Sequence, residues 1–251
     1  MSIKKWIQQF VRFRGYDVRW TPNALARHPE ARLEVTVEMV IARRYLEVQG
    51  FYFVQVGAFD GVCVDPIGAM MRRLGCRGLM IEPHPVAFAR LEQTVAGRSG
   101  VELLQAAVSD RDGELPFYSL DPAAPDAPSK APLISSLDRG MLERELGTAR
   151  DWSPWIRETR VRCTTLNHLL EERNISRLDL LQIDAEGYDA RILRVLDFAR
   201  WSPVIINFEH ALLPQREAEH CWQMLAERGY LLHVSPPDTL AVLASAAATT
   251  A

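Results

Sequence analysis

The side chains best suited to chemistry in this chain follow apolar runs, at the points where buried strands would end. Glu82 and Asp184 directly follow two of these runs, and a glycine-bearing turn at residues 57–61 follows a third, residues 51–56. The carboxyl ends of parallel strands meet at one edge of an α/β sheet, and ligands bind at that edge. The pattern therefore predicts a cofactor cleft lined by the turn and by both acids.

Glu82 has the spacing of a residue that binds a ribose. It lies about twenty residues past the glycine turn, where an acid ends the second strand of a β-α-β unit and can bind a ribose diol. The sequence between the two predicts a helix over residues 64–74 and a strand over residues 78–81. An ordinary tight turn would explain Gly57 and Gly61 alone, but the acid at this spacing favours a nucleotide-type cofactor.

Two common nucleotide-binding motifs are missing from the chain. The pattern G-x-G-x-x-G does not occur, because Gly57 is followed by Ala58-Phe59-Asp60-Gly61. The pattern G-x-x-x-x-G-K-[ST] does not occur either. The sequence therefore gives no support to a nicotinamide fingerprint or to a phosphate-binding loop.

Glu209 and His210 form a second candidate group, because they follow another apolar run and are predicted at the same edge as Asp184. Oxygen and nitrogen atoms of these three residues could hold a divalent cation such as Mg²⁺, which would orient an acceptor hydroxyl and lower its pKa. Two alternatives stay open: His210 is a metal-free general base, or the pair only stabilises the strand end. Glu186 and Asp60 similarly fit either catalysis or stabilisation of a helix amino terminus.

The order of the predicted elements indicates an α/β fold. A helical preface, residues 1–50, precedes one domain, residues 51–251. Within the domain, apolar runs alternate with helix-like segments, which predicts a doubly wound, mostly parallel sheet. The last two runs, 230–234 and 239–243, flank a short Pro-Pro-Asp turn and predict a closing antiparallel hairpin.

The least regular stretch of the domain is residues 119–158, which are rich in Pro, Ala, Ser and Asp and include Trp152 and Trp155. Its flanking segments, 114–118 and 159–164, predict an added antiparallel pair of strands. A long loop inside a compact domain is usually functional or disordered. Because this one emerges where the cleft should open, we interpret it as a cap that binds the acceptor; a mobile decoration is the alternative.

Charge and composition limit the classes of partner. With 29 Lys and Arg against 32 Asp and Glu, the net charge of −3 predicts no broad nucleic-acid-binding surface. No apolar run is long enough to span a bilayer. The basic, amphipathic segment 4–14 lacks the apolar stretch of a secretory signal; it is predicted to pack on its own domain, with weak contact to an anionic membrane surface as the alternative.

The cysteines favour a reducing compartment. They are scattered and none has C-x-x-C spacing, which predicts reduced thiols in a cytoplasmic protein rather than disulfides or metal ligands. They are Cys63, Cys76, Cys163 and Cys221.

Several short motifs follow one another between about Phe51 and Leu243. They are Val56-Gly57-Ala58 with Gly61; Ile81-Glu82-Pro83 with Pro85 and Phe88; Ala107-Val108-Ser109-Asp110 with Gly113; Thr164-Thr165-Leu166; and the run from Leu178 to Tyr188. In order and spacing they resemble the FkbM-type S-adenosylmethionine-dependent methyltransferases, and the Asp184-Ala185-Glu186-Gly187 element is the most specific. The chain departs from that pattern at Gln55, where many methyltransferases carry an acid, and at Phe59, where the family often has Asn.

The resemblance implies a Rossmann-like class I methyltransferase sheet with S-adenosylmethionine as the cofactor. It implies that the glycine turn approaches the methionyl and ribose parts, that Glu82 binds the ribose hydroxyls, and that residues 105–107 border the adenine. Asp184 would face the sulfonium and the acceptor, with Glu209 and His210 as further catalytic candidates. The cofactor-binding residues that the resemblance implies are Gln55, Gly57, Ala58, Asp60, Gly61, Glu82, Pro83, Gln105, Ala106, Ala107 and Asp184.

The function expected from these observations is methyl transfer to a hydroxyl of a small molecule, sugar or glycan. A nicotinamide-dependent oxidoreductase is one alternative, which the missing third glycine and the end hairpin disfavour. A cofactor-binding module without catalytic activity is the other, which the departures at Gln55 and Phe59 keep open.

Overall fold

Two β-sheets organise the residues that the structure, a computed structural model, describes: 36–62, 75–127 and 134–247. The chain divides into the units Met1–Thr36 and Val37–Ala251, and the helices and strands of these residues belong to the second unit. The strands are β1 Tyr52–Val56, β2 Arg77–Ile81, β3 Val101–Leu104, β4 Ala107–Val108, β5 Gly113–Leu120, β6 Ser135–Ser136, β7 Ile156–Thr164, β8 Leu180–Ile183, β9 Ile205–Glu209, β10 Tyr230–Ser235 and β11 Asp238–Leu243. The helices are α1 Val37–Glu47, α2 Pro85–Val95, α3 Arg139–Leu146, α4 Leu166–Glu172, α5 Asp189–Val195, α6 Gln215–Glu227 and α7 Ala244–Ala247.

The first sheet has seven strands in the order β10-β11-β9-β8-β1-β2-β3. The strands from β9 to β3 run parallel. β11 is antiparallel to both β9 and β10, so the sheet closes with a hairpin. The predicted doubly wound sheet with its closing hairpin is therefore confirmed.

Continuous burial explains why the central strands are apolar throughout. Every residue of β8 and four residues of β1 are buried, as expected for parallel strands with both faces covered. Val54, Leu181 and Ile206 on one face of the sheet belong to a single core cluster with Leu169 of α4 and Leu193 of α5. This packing holds the carboxyl ends of the strands in fixed positions relative to one another.

A buried acid, Asp179, fixes the opposite edge of the same strands. Its carboxylate accepts hydrogen bonds from Arg44 of α1, from Arg177 and from the backbone N–H of Tyr52 at the start of β1. The side chain of Asp179 is completely buried, and charges that are paired and hydrogen-bonded in this way can be accommodated in a core. The contact ties α1 and the amino ends of β1 and β8 together.

The second sheet has the order β4-β7-β5-β6. β5 and β7 pair antiparallel from Gly113–Cys163 to Leu120–Ile156, which confirms the predicted added pair. β3 ends at Leu104, and the chain then crosses into the second sheet, where β4 pairs with β7. The chain therefore leaves the first sheet after β3 and returns to it at β8.

The prediction of an irregular loop over residues 119–158 is wrong for part of the segment. It contains β6, α3 and a short 3₁₀ helix, Ser153–Trp155. A separate apolar cluster holds these elements, and the indole N–H of Trp152 donates a hydrogen bond to the carbonyl of Leu146. The abundance of Pro, Ser and Asp obscured this cluster, because only about every fourth residue contributes to it. Its members are Leu120, Ala124, Ile134, Met141, Leu142, Leu146 and Trp152.

Two predicted segments, residues 4–14 and 64–74, lie outside the described residues. The described part of the predicted helical preface, residues 1–50, contains α1. Within the described residues, no helix is long and apolar enough to cross a membrane. Cys76, Cys163 and Cys221 are buried free thiols.

Candidate active site

An open cleft of about 600 Å³ lies where the carboxyl edge of the first sheet faces the second sheet. The cleft is lined by Val56, Gly57, Phe59, Glu82, Pro83, Ala106, Ala107, Val108, Phe117, Ser135, Ser136, Leu137, Asp184, Ala185, Glu186 and Tyr188.

The glycine turn after β1 is held by backbone contacts that only glycine permits. The N–H groups of Gly57 and Ala58 both donate to the carbonyl of Ile81 at the end of β2. Gly57 has a φ of +77°, and a Cβ on it would lie 1.8 Å from the carbonyl oxygen of Asp184. The tips of β1, β2 and β8 therefore touch through their backbones, and the missing side chain of Gly57 leaves room for the carbonyl of Asp184.

Glu82 is buried at the tip of β2, with a carboxyl group that is already partly bonded. One oxygen, Oε2, accepts from the backbone N–H of Phe59 at 2.8 Å, and Oε1 accepts from that of His84 at 2.7 Å. Burial raises the pKa of Glu82 to about 7, the two N–H donors oppose that shift, and nearby Asp184 adds to it. A carboxylate has about four lone-pair positions, so these two bonds leave acceptor capacity for a diol.

A group of acids lies at the other end of the cleft, around the β8 tip. Burial and, to a smaller extent, the negative neighbours Asp184 and Glu209 raise the pKa of Glu186 to about 9. Burial and Asp184 also raise the pKa of Asp189 and of Glu209 to about 8. The residues that line the cleft, all within the described part of the chain, include no Lys or Arg. This end of the cleft is therefore electrostatically suited to a cation.

Asp189, at the start of α5, connects the tips of two strands. Its side chain is completely buried. Oδ2 accepts from the backbone N–H of Ala185 after β8, and Oδ1 accepts from that of Glu209 at the end of β9, both at 3.2 Å. Sequence analysis did not select Asp189, although an acid five residues after Asp184 was a visible signal.

The segment between β5 and β7 contacts the turn that follows Asp184. The hydroxyl of Ser136 in β6 donates to the carbonyl of Glu186 at 2.8 Å and accepts from the N–H of Asp138 at 3.0 Å. Glu186 has a φ of +48°, an unfavourable value for a residue with a side chain. The next residue, Gly187, packs so closely against Met141 of α3 that a Cβ would lie 2.8 Å from its side chain.

Part of the predicted cofactor-binding set lines the cleft. These residues are Gly57, Glu82, Pro83, Ala106, Ala107 and Asp184. The remaining predicted residues do not line it. Gln55 is buried within β1 and points to the opposite face from Val54. Gln105 is exposed.

The other three predicted cofactor-binding residues that do not line the cleft support the glycine turn. Ala58 is buried beneath it. Asp60 accepts a hydrogen bond from the N–H of Val62, and its own carbonyl accepts one from the hydroxyl of Thr94 on α2. Gly61 lies against Leu91 of α2, and a Cβ there would be 2.9 Å from that side chain. These residues shape the loop without forming the cleft surface.

The predicted cation site at Asp184, Glu209 and His210 does not form. Nδ1 of His210 lies 3.0 Å from the hydroxyl of Thr239 on β11, and the imidazole packs edge-on against Trp222 of α6, with ring centroids 5.4 Å apart. Neither Glu209 nor His210 lines the cleft. Among the described residues, no three His, Cys, Asp or Glu side chains are placed to hold a metal ion. The donor set therefore does not fit Mg²⁺.

Sequence analysis missed the surface that the second sheet contributes to the cleft. Phe117, Ser135, Ser136 and Leu137 belong to or follow strands of that sheet and carry no motif. Near the β8 tip it also missed Ala185 and Tyr188, and it left Glu186 undecided between two interpretations. Their position in the Asp184–Tyr188 turn was the available signal. The other missed residues are Val56, Phe59 and Val108, neighbours of predicted ones.

Comparison with known proteins gives a matching family and several solved structures that resemble this chain. The solved structures are 10–12% identical to it in sequence. They include an FkbM methyltransferase from Methylobacillus flagellatus KT (12% identity; 78% of this chain and 45% of that chain covered; TM-score 0.45), a ribosomal protein L11 methylase from Lactobacillus delbrueckii subsp. bulgaricus (12%; 81% and 75%; 0.39) and the human methyltransferase 10 domain containing protein (10%; 96% and 97%; 0.42). No curated protein matches the sequence.

The fold is that of the Rossmann-like class I methyltransferases. The model of the methyltransferase FkbM domain matches residues 55–232, most of the chain. The chain therefore belongs to the FkbM methyltransferase family, whose members use S-adenosylmethionine.

Proposed function

We propose that this methyltransferase transfers the methyl group to a hydroxyl of a small molecule, sugar or glycan. The observation that carries the proposal is the position of Asp184 and Glu186. Both line the cleft beside Ser136, where the β8 tip meets the segment between β5 and β7. An acceptor hydroxyl placed there would meet carboxyl oxygens able to accept its hydrogen bond.

The cofactor would lie along the carboxyl edge of the first sheet. Glu82 would accept hydrogen bonds from the ribose hydroxyls, and the backbone at Gly57 would lie against the methionyl part. Ala106 and Ala107 would border the adenine. The acids around Asp184 would surround the sulfonium, whose positive charge lowers the free energy cost of keeping several carboxylates in one place.

The chain's own residues would supply positioning and a proton acceptor. Bound S-adenosylmethionine supplies an electrophilic methyl group. The proton of the acceptor hydroxyl would move to a carboxylate, and Asp184 and Glu186 line the cleft where they could accept it. Alignment of the two reactants accounts for much of the rate in such a displacement. Glu209 would act indirectly, through its backbone bond to Asp189, and His210 would stabilise the end of β9.

The segment between β5 and β7 would bind the acceptor. We retain the division into a preface, residues 1–50, and a methyltransferase domain, residues 51–251, with the acceptor-binding insert at 119–158. Ser135, Ser136 and Leu137 of this insert line the cleft opposite the strand tips, which supports the assignment. A neutral or cationic acceptor fits the acidic wall better than nucleic acid does. Buried free thiols support a reducing compartment, and we propose the cytoplasm.

Calorimetry and an acceptor screen test the function. S-adenosylmethionine should bind with a Kd of about 1–10 μM, near −8 kcal/mol, and NAD should not bind. Hydroxyl-bearing acceptors, screened with methyl-labelled cofactor, should accept label with or without a chelator. Binding of NAD in place of S-adenosylmethionine would refute the assignment. Transfer that EDTA abolishes and Mg²⁺ restores would refute the metal-independent arrangement, and transfer to amines or carbon alone would refute the hydroxyl acceptor.

A further inference from the structure

The second sheet supplies a large part of the cleft wall. β4 contributes Ala107 and Val108, β5 contributes Phe117, and β6 contributes Ser135 and Ser136. Ala107 alone among these five was implied as a cofactor contact by sequence. A molecule bound along the carboxyl edge of the first sheet is therefore enclosed by strands that the first sheet does not contain.

The two ends of the cleft differ in chemistry. In the order β8-β1-β2-β3, Glu82 at the tip of β2 separates the tips of β1 and β8 from the end of β3. The side toward β8 carries the acids Asp184 and Glu186, whereas the side toward β3 carries Ala106 and Val108, which are apolar. With a ribose at Glu82, a charged sulfonium suits the first side and an apolar purine suits the second.

Phe117 belongs to the apolar side. Its ring centroid is 6.5 Å from that of His84, which follows Glu82 by two residues and is the N-cap of α2. Its backbone is fixed opposite Thr159 in the antiparallel pairing of β5 with β7. Only 3% of Phe117 is exposed, although it lines the cleft. A rigidly held aromatic ring thus forms part of the surface on which the base would lie.

We propose that Phe117 contributes to cofactor binding by covering the adenine ring of the bound cofactor. The inference rests on the proposed function and deepens it, because it assigns recognition of the base to the second sheet. A purine gains affinity from contact with an aromatic ring through dispersion and stacking, and loses it when that ring is truncated. Phe117 therefore contributes affinity that Ala106 and Ala107, with one methyl group each, cannot supply.

The test measures the affinity of the full chain for S-adenosylhomocysteine by calorimetry, and for adenosine by displacement of labelled S-adenosylhomocysteine. Both probes carry the base, and only the first carries homocysteine. Phe117→Ala should weaken both by a similar factor, about 10- to 100-fold. Phe117→Leu keeps most of the apolar volume, so its affinity should fall about 3- to 10-fold, while the Tm of the ligand-free protein should fall by no more than about 5 °C.

Phe198→Leu is the matched control, because Phe198 packs edge-on against Tyr230 and does not line the cleft. It should leave the affinity for both probes unchanged. An unaltered affinity in both Phe117 variants overturns the inference. A loss of affinity for S-adenosylhomocysteine alone also overturns the inference, because it would place Phe117 at the homocysteine end. If the unsubstituted protein does not bind S-adenosylhomocysteine, the proposed function fails and the inference fails with it.

Discussion

At the scale of single residues, Glu82 combines two tasks in one carboxyl group. It accepts hydrogen bonds from the backbone N–H groups of Phe59 and His84, so it braces the glycine turn and the start of α2. Glu82 also lines the cleft, and its two oxygens have lone pairs beyond those two bonds. Substitution of this residue therefore affects both the shape of the loop and the affinity for a ribose.

We expect Glu82→Ala to weaken binding of S-adenosylhomocysteine by about 1.5–3 kcal/mol, the range of hydrogen bonds to a charged group. Calorimetry on the purified variant measures this change. Glu92→Gln, on the exposed face of α2, is the control and should bind as the unsubstituted protein does. A Kd for Glu82→Ala within twofold of the original would show that Glu82 does not bind the ribose.

Gly57 gives a second prediction, with a control that has the same backbone conformation. Gly57→Ala should destabilise the fold by more than about 3 kcal/mol, because its Cβ would overlap the carbonyl oxygen of Asp184. Gly97, with a φ of +76°, has nothing within 4 Å of the corresponding position, so Gly97→Ala should cost only about 1–2 kcal/mol. Urea unfolding measures both, and equal losses would mean that the close approach to Asp184 is unimportant.

At the scale of elements, the sequence predicted the first sheet and the pairing of β5 with β7, but it did not predict β4 or β6 of the second sheet. Parallel strands buried on both faces leave uninterrupted apolar runs, which are easy to read, and the acids at their ends mark the edge. β6 has two residues and β4 has two, too few for any periodicity. Phe117 and Ser136 were therefore invisible as cleft residues, since only long-range pairing brings them there.

His210 illustrates the second limit of sequence-based prediction. Position along the strand predicted correctly that Glu209 ends β9 near Asp184, but not where the next side chain points. The backbone N–H of His210 bonds to the carbonyl of Pro237, and its imidazole lies against Trp222 and Thr239. The direction of the His210 side chain therefore depends on packing with the end hairpin, which is remote in sequence.

Ser136→Ala tests the connection between the insert and the Glu186 turn. We expect the variant to lose about 2 kcal/mol of unfolding free energy, because the hydroxyl's hydrogen bonds to the carbonyl of Glu186 and from the N–H of Asp138 are both removed. Hydrogen exchange should accelerate at the amides of residues 185–188. Ser119→Ala, in the strand that pairs with β6, serves as the control. Unchanged exchange at residues 185–188 in Ser136→Ala would show that the insert does not hold this turn.

At the scale of the whole molecule, the acids around the cleft make stability depend on pH. Glu82, Glu186, Asp189 and Glu209 all have raised pKa values in the folded, ligand-free protein, chiefly because of burial. Between their usual values near 4 and the raised values of about 7–9, the folded state holds protons that the unfolded chain has released. The free energy of unfolding therefore falls as pH rises through this window.

We expect the Tm of the ligand-free protein to be lower at pH 8.5 than at pH 5.5 by at least about 5 °C. Glu186→Gln removes one carboxyl group whose pKa is raised in the folded state. The Tm of this variant should therefore exceed that of the unsubstituted protein at pH 8.5 and match it at pH 5. The exposed Glu143→Gln should leave the profile unaltered, since a surface ion pair adds little stability. A Tm that rises steadily with pH would contradict this electrostatic account.

The contact of Ser136 and Met141 with the turn at Glu186 and Gly187 bears on efforts to redirect the enzyme to other acceptors. A segment joined only by its two ends could be exchanged between relatives as a cassette. Here a graft must also reproduce a hydroxyl at Ser136 and the shape of Met141, or the recipient's β8 turn loses its support. Chimeras are therefore best designed with the junctions in β5 and β7 and with the donor's own β8 turn transplanted together with its insert.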